Sequence, residues 1–174
     1  MKNFMTILFL LLFCAGAYSP DDGFSNIRCG SDIPKALIGR YMSNERVAII
    51  ENRHKDLGLK NLGAIEISDK LFSISWKICG NEYMLLEDGN SVVRDVLKIP
   101  EHSKRWPLSI GECQINGAKV TGSTVAILDN EVGRTTLSAK AAWKIDEKGK
   151  RFIKISTEGL LCSRDGIITE DGGH

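Results

Sequence analysis

The chain predicts a mainly β fold of the α+β kind: an antiparallel β-meander forming a small barrel or strongly bent sheet, with one N-terminal helix. Three observations carry this. First, Phe72, Ile74, Trp76 and Ile78 alternate with Ser73, Ser75 and Lys77, the period of two that separates the faces of a strand. Second, Gly80-Asn81, Asp88-Gly89-Asn90 and Asn116-Gly117 are compact reversal signals, the last being the strongest short hairpin dipeptide. Third, about eight or nine short apolar runs follow one another between such turns, the rhythm of a barrel or bent antiparallel sheet.

In chain order, residues 1–19 read as a secretory signal peptide. Met1-Lys2-Asn3 is a short positive start, Phe4–Phe13 an apolar run, and Ala15-Gly16-Ala17 a small-residue cleavage site. The run is too short to span a bilayer, which needs roughly 20 residues, and no later run is longer. Cleavage leaves about 155 residues, the size of one domain. Residues 20–30 are polar and rich in Gly and Pro at their start, and are expected to form a loose leader. The domain proper is expected at 31–163, with a flexible tail at 164–174.

Within the domain, Ser31-Asp32-Ile33-Pro34 can cap a short helical turn that stops at Gly39. Asn44–Leu57 is the main helix candidate, with Ser43 or Asn44 as cap, Val47, Ile50, His54 and Leu57 on one face, and Gly58 closing it. Glu51 stands four residues before Lys55, a favourable pair. Strands are then expected at 64–67, 72–78, 83–86, 92–99, 108–115, 118–120, 124–128, 137–145 and 151–156, with a final short one at 159–162. Pro100–Pro107 breaks the series after the meander.

The four cysteines beyond the leader, Cys29, Cys79, Cys113 and Cys162, read as two disulfides in an exported chain. The favoured pairing is Cys29–Cys162 with Cys79–Cys113, stabilising by roughly 5 and 4 kcal/mol in the chain-entropy model. There is no Cys-x-x-Cys and no Cys near a His, so neither a metal nor another cofactor is expected.

Charge narrows the partners. The chain has 23 Lys and Arg against 22 Asp and Glu, and with Lys2 in the signal the remainder balances. A nucleic-acid binder needs a basic surplus, so nucleic acid is not an expected partner. Lys144, Lys148, Lys150, Arg151 and Lys154 nevertheless cluster on the last hairpin beside Trp143 and Phe152. They form either a patch for an anionic protein or envelope component or the lysine guard of an edge strand. Trp106, between Arg105 and Pro107, is a candidate recognition aromatic or a residue packed on the core.

Catalytic signals are weak. His54, His102 and His174 are the only histidines, no Gly-x-Ser-x-Gly elbow occurs, and the acidic pairs are adjacent in turns. The expected function is therefore a non-catalytic binding or inhibitor-like module, with a convex loop such as Pro100–Pro107 if inhibitory. The alternative is a carrier of small apolar ligands with a lipocalin-like barrel and a cavity lined by residues such as Phe72, Trp76 and Trp143. Gly39-Arg40-Tyr41 is similar to the Gly-x-Trp opening of lipocalins, with Tyr for Trp and a helix candidate following where that family has a strand. A third option, a secreted hydrolase, requires a His within hydrogen-bond reach of a Ser, Cys or carboxylate in a cleft.

Overall fold

The computed structural model describes residues 22–168. The expected signal peptide and the last residues of the expected tail lie outside that range. Two antiparallel sheets and two short helices make up the described chain.

Helix α1, Ile33–Leu37, starts where the cap signal placed it. The Asp32 carboxylate accepts from the Lys35 N–H and Pro34 lies in the first turn. Helix α2, Val47–Arg53, is shorter than expected. Ser43 does not cap it; its hydroxyl accepts from the Glu45 N–H in a local turn instead. The chain leaves α2 at His54 and tightens into a 3-10 turn, Lys55–Leu57, that ends on Gly58 in the left-handed conformation (φ 57°). The helix expected over Asn44–Leu57 is thus one short helix followed by a 3-10 turn. The Glu51 carboxylate accepts from the Asn61 N–H on the adjoining strand.

The first sheet is the predicted meander, β1 (Lys60–Ser68), β2 (Leu71–Ile78), β3 (Asn81–Asp88) and β4 (Val93–Lys98), paired in chain order. The β2–β3 reversal is one residue earlier than Gly80-Asn81 suggested. Ile78 pairs with Asn81, so Cys79 (φ 51°) and Gly80 (φ 79°) are the two central residues, the double left-handed geometry of a type I′ turn. Asp88 organises the next reversal by accepting from the N–H groups of Asn90 and Val92. Bulges near Asn61/Gly63 and Glu66/Ser68 interrupt the β1–β2 register and blunt the free edge of β1.

The second sheet holds β5 (Leu108–Gly111), β6 (Cys113–Ile115), β7 (Ala118–Lys119), β8 (Thr124–Leu128), β9 (Thr136–Asp146), β10 (Arg151–Lys154) and β11 (Leu160–Ser163). Its path runs β5-β8-β9-β11-β6-β7, with β10 paired to β9. The strand expected over 108–115 is in fact two. Only Glu112 separates β5 from β6, yet they pair with β8 and β11 at opposite ends of the path. The sheet is therefore strongly curled. Asn116-Gly117 does turn β6 into β7, with both residues at positive φ.

Three apolar clusters stack through the molecule. Phe24, Leu37, Ile50, Trp76, Ile78, Tyr83 and Leu85 belong to the first, between the helices and the meander. Met84 and Leu86 point to the opposite face and join Leu71, Ile99, Leu108, Val125, Ile127 and Ile145 between the two sheets. Ala126, Leu128, Leu137 and Leu160 lie in the hollow of the curled sheet. Strands β3 and β8 are buried on both faces, which is why their sequences read as unbroken apolar runs.

Two expectations at the ends are corrected. Residues 22–30 are no loose leader: Asp22 and Phe24 are fully buried and Ile27 nearly so. The apolar Phe24 ring packs against Trp76 in a T-shaped contact, with 4.9 Å between ring centroids. The expected flexible tail is held through its first turn. A 3-10 turn, Arg164–Gly166, crosses β5, Ile167 pairs with Ser109, and the Ile168 N–H donates to the Leu108 carbonyl. Gly166 is required there, since a Cβ would stand 2.8 Å from the Ile110 carbonyl oxygen.

All four described cysteines are oxidised, but the favoured pairing was wrong. The bonds are Cys29–Cys79 and Cys113–Cys162. The first ties the N-terminal segment to the β2–β3 turn. The second joins residues directly opposite each other on β6 and β11. Two such bonds indicate an oxidising environment. Among the described residues no helix is long and apolar enough to cross a membrane.

Candidate functional site

The most distinctive concavity is a cleft of about 300 Å³ between α2, the loop before it and the outer face of the meander. The period of two in β2 builds its floor: Phe72, Ile74 and Trp76 face it, with Ala64 opposite Ile74 on β1. Val47 and Ile50 of α2 form the other wall, and Met42, Ser43, Asn44 and Glu45 the rim. Glu87, paired across the strand with Phe72, closes one end together with Ser91.

Two polar groups here lack partners. Trp76 is 4% exposed and its indole N–H has no hydrogen-bond acceptor; Glu87 is 5% exposed and its Oε1 has no donor. Such groups are rare in folded proteins, because each forfeits its hydration without replacement. Burial, reinforced by the neighbouring Asp88 carboxylate, pushes the Glu87 carboxyl up to about 7. Asp88 behaves oppositely. Burial pushes it up, but Arg94, the Asn90 and Val92 amides and Lys150 bring it down to about 2.

The Glu87 shift carries a stability signature. The unfolded chain releases this proton near 4.5 and the folded one near 7, so the folded state binds more protons between those values. Stability is expected to fall as pH rises through that window, by on the order of 3 kcal/mol from this group. Urea unfolding of the wild type and Glu87→Gln at pH 5 and 8 checks it. The variant should lose that decline, and parallel pH profiles would refute the assignment.

Next to the cleft, Asp22 ties the N-terminal segment to α2. Its carboxylate accepts from Arg53 Nη1 (2.5 Å), from His54 Nε2 (2.8 Å) and from the Phe24 N–H (3.1 Å). Burial pushes Asp22 up, the three donors outweigh it, and the carboxyl lies below its usual range. Arg53 also pairs with Glu45 at 2.8 Å. Sequence reasoning missed Asp22; the Asp-Gly-Phe turn signal at 22–24 was its only trace.

A second concavity, about 510 Å³, lies where β3 meets the chain after β4, lined by Asn81, Glu82, Lys98, Ile99, Pro100, Glu101 and His102 among others. There His102 Nε2 meets Glu82 Oε2 at 2.8 Å. His102–Glu82 in this concavity has the His–carboxylate contact in a cleft that the hydrolase option requires, and His54–Asp22 is a second such contact. Among the described residues, however, neither imidazole is hydrogen-bonded to a hydroxyl or thiol that would serve as nucleophile.

The other sequence candidates are dispersed. Trp143 lies on β9 in the second sheet, opposite Lys154 and Val125, and not in the cleft with Phe72 and Trp76. Within the basic cluster, Lys150 pairs with Asp88 (3.4 Å), Arg151 with Asp146 (3.3 Å), and Lys144 donates to the Thr121 hydroxyl (2.9 Å). Lys148 and Lys154 are exposed. The outer edge of β10 is met by Asp95, which accepts from the Phe152 N–H at 2.7 Å. Trp106 is 37% exposed, with Lys140 Nζ 4.1 Å and the Arg105 guanidinium 5.3 Å from its ring centre.

Comparison with protein-family models, with curated proteins and with solved structures gives no match.

Proposed function

We propose that the protein is an exported, non-catalytic binding module, secreted or periplasmic, that holds a small and mostly apolar molecule in the cleft between α2 and the meander. The observation that carries the reading is the pair of unpartnered buried groups, Trp76 N–H and Glu87 Oε1, on a cleft whose floor is Phe72 and Ile74. An apolar pocket with a few convergent polar atoms is the usual form of a ligand site, and 300 Å³ lies at the small end of such sites. This favours the carrier alternative over an inhibitory loop. Within Pro100–Pro107 the Trp106 face is already engaged by Lys140 and Arg105. The basic hairpin is better read as edge protection, since Lys150 and Arg151 are spent on intramolecular ion pairs.

The test uses Ala64, which is exposed at the cleft wall. Small aromatic fragments should shift the Trp76 indole N–H resonance, assigned with Trp76→Phe. Ala64→Trp should abolish the shift while moving the melting temperature by only a few degrees, as surface changes do. Fragments that perturb resonances elsewhere, and equally in Ala64→Trp, would defeat the reading.

A further inference from the structure

We infer that the cleft takes a small organic cation, with an ammonium group seated against Glu87 and an apolar body lying along Phe72, Ile74 and Trp76. The inference rests on the reading of the cleft as a ligand site and adds the ligand's chemistry.

Charge is the first argument. Among the described residues lining the cleft, the ionisable ones are Glu45 and Glu87, both acidic. Glu45 is neutralised by Arg53. Glu87 is not: Arg94 and Lys150 both bind the adjacent Asp88, on the opposite face of β3. An anionic ligand would meet two carboxyl groups and no free cation.

The unpartnered oxygen is the second argument. Glu87 Oε1 is an acceptor without a donor, and an ammonium N–H supplies the missing hydrogen bond together with the compensating charge. The floor is the third. Phe72 and Trp76 lie on one face of β2, roughly 13 Å apart along the strand, and aromatic rings attract organic cations as well as apolar bodies. An oxygen on the far end of the ligand would satisfy the Trp76 indole.

Affinity then depends on pH. The titratable groups around Glu87 are Glu45, which lines the same cleft from the loop before α2, and Asp88, its neighbour on β3, whose charge acts on it from the other face; β1 and β2 contribute Asn61, Ala64, Phe72 and Ile74. With Glu87 at about 7 in the free protein, a cation must displace a proton below that pH. Its affinity should fall roughly tenfold per unit there and level off above, where the amine stays charged to about 10.

Isothermal titration of the full chain with 2-phenylethylamine, 2-phenylethanol and 3-phenylpropanoate, at pH 8 and pH 5.5, tests this. The amine should bind at least tenfold more tightly than the alcohol at pH 8 and lose that advantage at pH 5.5. Glu87→Gln should bind amine and alcohol alike at both values. Because the pH comparison is made on the wild type, a variant that fails to fold does not weaken the test. If alcohol and amine bind equally at pH 8, the cation inference falls while the cleft stands as a ligand site. Preference for the propanoate overturns it as well. If no probe binds, the ligand-site reading and the inference fall together.

Discussion

Trp76→Ala is expected to reduce the unfolding free energy by about 3–5 kcal/mol, the range for removing a large buried aromatic side chain. Trp76 is 4% exposed. Its ring meets that of Phe24 in a T-shaped contact, and it shares its cluster with Ile50, Ile78, Tyr83 and Leu85. Truncation therefore loosens three elements together: the N-terminal segment, α2 and the meander. Denaturant titration followed by circular dichroism measures the change. A loss below about 1 kcal/mol would mean that this face of β2 carries little of the fold. Trp76→Phe keeps most of the apolar surface and removes an N–H that has no acceptor, so it should cost much less. The contrast separates packing from polarity.

The Cys29→Ser/Cys79→Ser double variant is expected to cost about 4 kcal/mol in the chain-entropy model, for cysteines 50 residues apart. Cys113 and Cys162 are 49 apart and predict a similar value. The total rivals the whole stability of an ordinary domain, so reduction should unfold the protein. The first bond should also matter more for ligand binding, because it secures the segment that carries Asp22 and Phe24. Peptide mapping of the unreduced chain should recover Cys29 with Cys79 and Cys113 with Cys162. A Cys29–Cys162 peptide would contradict the fold.

The meander was legible because its information is local. Alternation from Phe72 to Ile78 fixed the face, and Asn116-Gly117 fixed a hairpin, through chemistry contained in a few residues. The one-residue error at Cys79-Gly80 has the same origin. Cys79 takes a left-handed conformation that Cys does not ordinarily favour, and a bond to Cys29 and an N–H donated to the Leu57 carbonyl at 2.7 Å accompany it. Those are tertiary contacts. The split at Glu112 was invisible for a similar reason, since the partners of Leu108–Gly111 and Cys113–Ile115 differ only in three dimensions. The polar look of residues 20–30 hid Phe24, whose burial depends on Trp76 more than 50 residues away. Of the cleft, Phe72 and Trp76 were legible as an apolar face. Glu87 was not, because in sequence it is one acid beside another at a turn. Only the fold turns Asp88 toward Arg94 and Lys150 while leaving Glu87 without a cation.

The order of the disulfides along the chain has a consequence for biosynthesis. The first described cysteine joins the second and the third joins the fourth, so neither loop encloses or crosses the other. As the polypeptide emerges from its N-terminus, Cys79 meets Cys29 before Cys113 has appeared, and Cys162 later meets Cys113 as the one described thiol still free, so oxidation in order of appearance gives the native connectivity without isomerase-driven reshuffling. The two sheets differ in when they can follow. The meander pairs only sequential neighbours and can assemble once Lys98 is out. The curled sheet needs β11 between β9 and β6, so it waits for Ser163. A nascent chain stalled before that point should present a folded first half and an open, aggregation-prone second half.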